Sequence, residues 1–239
     1  MFKEALEFAR ICKAHGYYRK GNAMFRVHGD GVLQIIKLER DRLSRRLTIS
    51  LGLQSMYSEL LPQWFTSLGC IPRYCILDVP CKESSNPINY GSELQRYERE
   101  LSVLQENGFE WLDSIVTQAG LAEALGQLDT SRCGKILWND AMKIAPYLCS
   151  EQYELARKVI STIIELYDAA IESHREWMKK EELEAYVKRY QDDHEKFIEL
   201  LEIVCKHDSV KIQEYLENNY TLNSSYAKFC RTNVNDFRV

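Results

Sequence analysis

A chain of 239 residues that is 45% hydrophobic and 28% charged carries enough apolar side chains to bury a core, which excludes a disordered or collagen-like polymer. Its net charge of −4 is unevenly spread: residues 1–50 hold 11 Lys and Arg against 5 Asp and Glu, a balance of +6 that leaves −10 on the other 189. No apolar run approaches the roughly 18 to 20 residues that span a bilayer, so no membrane span is expected and a cytoplasmic setting is the expectation.

The chain opens with Phe2, Ala5, Leu6, Ala9 and Cys12 or Lys13 at spacings of three and four, the stripe of an amphipathic helix. Gly16 ends it, where a C-terminal cap belongs. The period then falls to two. Ala23, Phe25 and Val27 alternate with Met24, Arg26 and His28; the run VLQIIKL follows; and Leu47, Ile49, Leu51 and Leu53 alternate with Thr48, Ser50 and Gly52. This predicts three antiparallel strands over residues 23–53.

Between the first two strands stands His28-Gly29-Asp30-Gly31. Asp-Gly between strand-like runs predicts a two-residue type I′ turn at Asp30-Gly31. That turn places Phe25 opposite Ile36 and Val27 opposite Gln34, with Phe25 and Val27 facing the core. His28 then reads as turn punctuation. A functional reading stands beside it: Arg26, His28 and Lys37 share the second face with Thr48 and Ser50, and cations beside small hydroxyls suit an anion. Leu33 and Ile35 fall on the same face, so it is either open or covered by the C-terminal half.

The next connection, ERDRLSRR, brings Arg40, Arg42, Arg45 and Arg46 together, as a phosphate grip or as a soluble hairpin tip. It lacks the interleaved aromatics of a single-strand platform. Residues 71–80, IPRYCILDVP, predict a fourth, shorter strand, at an edge because Pro72 and Pro80 bound it. CKESSNPINYGS, residues 81–92, has linker composition and divides an α+β domain, 1–90, from a helical domain, 91–239.

Helices alone are expected beyond Glu93. Leu94, Tyr97, Leu101 and Leu104 form one stripe that Gly108 ends; Trp111, Ile115, Ala119, Ala122 and Leu125 form another. Ser150 before Glu151 reads as an N-cap. It leads into Leu155, Val159, Ile163, Tyr167, Ile171, His174 and Met178. A further stripe, Leu183, Val187, Tyr190, His194, Phe197, Leu201 and Val204, approaches a heptad, so these two helices are expected to form a long antiparallel hairpin. His174 and His194 lie within the stripes and read as interface histidines.

The fold class is therefore α+β: an N-terminal helix and a three- to four-stranded antiparallel sheet, then an all-helical half. The N-terminal residues also resemble a family. Tyr18, Arg19, Lys20 and Gly21, then Phe25 and Arg26, then Leu33, Gln34, Ile35 and Ile36, and finally Ile49, Leu51 and Gly52 are similar to the pattern of the bacterial family called domain of unknown function 4304. The resemblance covers residues 2 to about 80. It implies an α+β N-terminal unit in a bacterial cytoplasm and carries no activity, cofactor or substrate with it. Where that family often has a histidine and an arginine near the fourth strand, this chain keeps Arg73.

Catalytic chemistry is not written into the motifs. No Cys-x-x-Cys, glycine-rich phosphate loop, Gly-x-Ser-x-Gly or His-Glu-x-x-His occurs. Cys12, Cys70, Cys75, Cys81, Cys133, Cys149, Cys205 and Cys230 lack zinc spacing and read as reduced thiols, so no metal and no cofactor are expected. Asp192 and Asp193 beside His194 read as a solvated helix face. Two functions remain: a non-catalytic binding module whose helical half meets a protein partner, and a basic sheet that binds nucleic acid or another small or polymeric anion, with Arg26, His28, Lys37, Thr48 and Ser50 as its residues.

Overall fold

The computed structural model describes residues 3–20, 23–40, 47–59, 73–75, 93–127, 136–175 and 179–227. Its architecture is α+β: one helix, one antiparallel sheet, then helices alone. Helix α1 (Lys3–Ala14) buries Phe8, Ala9, Ile11 and Cys12 and leaves Leu6 exposed, so Phe8 rather than Leu6 belongs to the inner stripe. A Schellman turn closes it. The Tyr17 amide donates to the Cys12 carbonyl at 3.1 Å, the Gly16 amide donates to the Lys13 carbonyl at 3.0 Å, and Gly16 takes φ 80°.

Strands β1 (Tyr18–Lys20), β2 (Ala23–Val27), β3 (Val32–Arg40), β4 (Leu47–Ser55) and β5 (Arg73–Cys75) lie side by side in chain order, each antiparallel to the next. The three expected strands are present, and β5 takes the expected edge. Strand β1 is additional; three residues are too few to show alternation.

The first hairpin differs from the expected turn. The His28 amide donates to the Val32 carbonyl at 2.9 Å and the Gly31 amide to the His28 carbonyl at 2.8 Å, enclosing Gly29, Asp30 and Gly31. Of the three only Gly31 has a positive φ, 74°, so the connection is a three-residue loop closed by a bulge at glycine. The extra residue shifts the register by one: Phe25 pairs with Ile35, Arg26 with Gln34 and Val27 with Leu33. Phe25 is buried, and its face carries Ala23, Val27, Leu33 and Ile35. Met24, Ile36, Leu38, Ile49, Leu51 and Leu53 pack on the other side.

Helix α2 (Glu93–Val103) continues through a π-helical segment, Leu104–Gly108, into α3 (Phe109–Ser114). Gly108, expected to stop the helix, has φ −64° and ψ −43° and lies inside it. The break falls at Ile115, and Thr117 caps α4 (Gln118–Gly126) by accepting the Gly120 amide at 3.1 Å. Tyr97, Leu101, Leu104, Phe109 and Leu112 share one cluster with Phe8, Ile36 and Leu51. The expected domain division at 90 and 91 lies outside the described residues.

Helix α5 (Ile136–Cys149) carries Met142 onto the Phe25 face, where Tyr220 of α8 (Ser209–Ala227) joins it. Helices are thus packed on both sides of the sheet. Ser150 is no N-cap: its hydroxyl donates to the Pro146 carbonyl at 2.6 Å, extending the end of α5. The Gln152 carbonyl instead accepts the Ala156 amide, starting α6 (Tyr153–Arg175). Between α6 and α7 (Lys180–Cys205), Tyr167 meets His194 and Phe197, and Tyr153 meets His207 just past the end of α7. Residues 176–178, the connection of the expected hairpin, lie outside the described residues. His194 Nε2 lies 3.2 Å from Asp168, and His174 bonds the Ala170 carbonyl of its own helix. No helix among the described residues is long and apolar enough to cross a membrane.

Candidate functional site

The register decides where the five anion-site residues lie. Arg26 and His28 alternate with Phe25 and Val27, whereas Lys37, paired with Ala23, shares the Phe25 side with its cross-strand partner Ser50 and with Thr48. The five do not meet on one face, because the bulge moved β3 by one residue relative to β2 and a single-residue slip inverts every side chain.

Arg26 is engaged from every side. Its guanidinium forms an ion pair with Asp113, donates to the Gln34 side-chain oxygen at 2.8 and 3.1 Å and to the His15 carbonyl at 2.9 Å, and lies 4.4 Å over the Tyr17 ring. Gln34 is fully buried. Its amide donates to the Leu112 and Ile115 carbonyls, closing the end of α3, and its oxygen also accepts the Tyr17 hydroxyl at 2.7 Å. This network stitches α1, the sheet and α3 together. On the other face Lys37 forms an ion pair with Glu39 at 2.5 Å, and the Ser50 hydroxyl donates to Glu39 at 3.4 Å. Thr48 is half-buried.

The glycine-flanked loop serves the fold. The Asp30 carboxylate accepts the Gln118 amide at 2.6 Å at the N-terminus of α4, where a negative charge is favoured by the helix dipole, and its carbonyl accepts the Gln118 side chain at 2.7 Å. Gly31 lies beneath Tyr57 and Tyr220, whose rings are 4.9 Å apart. Burial and then the Arg26 charge hold the His28 imidazole below its ordinary value of 6.5, and its Nε2 is buried without a hydrogen-bond partner. The half-buried ring is therefore neutral at pH 7.

Nucleophiles are equally quiet. Cys12, Cys149 and Cys205 are free; burial pushes the first two thiols up to about 12, which leaves almost no thiolate at neutral pH. Burial also raises the Tyr57 phenol to about 12. Cys70, Cys81, Cys133 and Cys230 lie outside the described residues. Among the described residues no group of three or more His, Cys, Asp or Glu side chains is placed to hold a metal ion.

An open cleft of about 220 Å³ lies where α7, α8 and the segment after β4 converge. Asn223 on α8 positions it: its side-chain nitrogen donates to the Met56 and Ser58 carbonyls, each at 2.7 Å, and so brings Glu59 to the mouth. Phe197, Leu200, Ile203 and Tyr215 form an apolar wall. Lys196 stands 3.4 Å from Glu59, and Glu199, Asn218 and Asn219 complete the lining. Asn219 is buried, and its side chain hydrogen-bonds that of Tyr215. Burial and then Glu59 hold the Tyr215 phenol well above its ordinary range, so it is a neutral hydroxyl there.

Sequence reading passed over this cleft. A signal was present: α8 buries Ile212, Leu216 and Tyr220 at helical spacing, yet Asn219 and Asn223 fall on the same inner side. Amides in an apolar stripe mark a hydrogen-bonded clip, as Asn223 is to Met56 and Ser58. Compared with protein-family models, curated proteins and solved structures, the chain matches none.

Proposed function

We propose that the chain is a non-catalytic binding module whose binding surface is its helical half, centred on the α7–α8 cleft, with a protein partner as the expected occupant of the surrounding surface. The observation that carries this reading is the cleft itself: an apolar wall with convergent polar groups at its mouth, which is the usual composition of a binding pocket. Arg26 and Lys37, by contrast, each have an acidic partner within the fold. The second reading, nucleic-acid or other polyanion binding through the basic N-terminal segment, draws on its +6 balance. The likeness to the bacterial domain of unknown function 4304 family, and with it a cytoplasmic setting, belongs to the same proposal.

The test is capture by the immobilised full chain from lysate, with and without nuclease, beside the variant Asn218→Trp, which covers the cleft from an exposed rim position. A partner that survives nuclease and is lost by the variant is the expected result. Capture abolished by nuclease, or capture indifferent to the variant, overturns it.

A further inference from the structure

We draw no further inference here: the strongest candidate, the apolar wall of Phe197, Leu200, Ile203 and Tyr215 in the open cleft between α7 and α8, belongs to the site already described, and with Lys196 already beside Glu59 at its rim nothing in the structure shows what covers it.

Discussion

A single position decides the hairpin. Gly31 takes φ 74°, and a Cβ built there would lie 2.8 Å from Tyr57 Cε2 and 3.3 Å from Tyr220 Cε2. Gly31→Ala therefore combines backbone strain with overpacking, and urea denaturation should show a loss of about 2 to 4 kcal/mol. Gly126→Ala is the contrast: its Cβ meets the Tyr147 hydroxyl at 3.6 Å, an ordinary contact at an exposed helix end, and should change stability by less than about 1 kcal/mol, in the favourable direction. Equal losses would remove the special role given to Gly31. His28 supplies a pH dependence. Its folded-state affinity for a proton lies below the ordinary value of 6.5, so the unfolded chain takes up the proton first. Stability conferred by the neutral ring is present above about pH 6.5 and is lost as pH falls from there toward the folded-state value. His28→Gln should flatten that part of the stability profile in denaturant titrations between pH 7 and 5; an unchanged slope would show that His28 is not its source.

At the scale of elements, helix ends were the least legible feature, because a glycine permits a stop without compelling one. Gly16 stops α1, where Tyr17 and Cys12 close a Schellman turn over buried side chains, but Gly108 lies in the helical run from α2 to α3. Two ends use residues that carry side chains. Glu151 follows α5 at φ 58° and His207 follows α7 at φ 49°, each in the left-handed region that disfavours a Cβ. Glu151 is exposed, so Glu151→Gly should raise stability by about 0.5 to 1 kcal/mol. His207→Gly should gain less, since His207 packs edge-on against Tyr153 with ring centroids 5.4 Å apart. Thermal melts of the two variants check the order. A larger gain at His207 would mean that the ring contact contributes nothing.

For the whole molecule, the sheet is covered by helices from both ends of the chain, with α1 to α4 on the Leu51 side and α5 and α8 on the Phe25 side. Polar residues follow that plan. Gln34 is buried because Leu112 and Ile115 present the carbonyls at the end of α3 to it, and Asp30 serves a helix that begins 88 residues later. The local pattern by itself determined the α+β class, the strands over 23–53, the edge position of β5 and the burial of Phe25. Apolar periodicity is a property of neighbouring residues, and burial of one face follows directly from it. Only the tertiary structure decided the register, the separation of Arg26 and His28 from Lys37, Thr48 and Ser50, and the existence of the cleft. One additional loop residue inverts a face, and the choice between two loops that both satisfy Asp-Gly rests on contacts from distant parts of the chain: Gln118 at Asp30, Tyr57 and Tyr220 over Gly31. The cleft likewise depends on Asn223 reaching across 165 residues to hold Ser58 beside α8, a contact that no spacing within either segment contains.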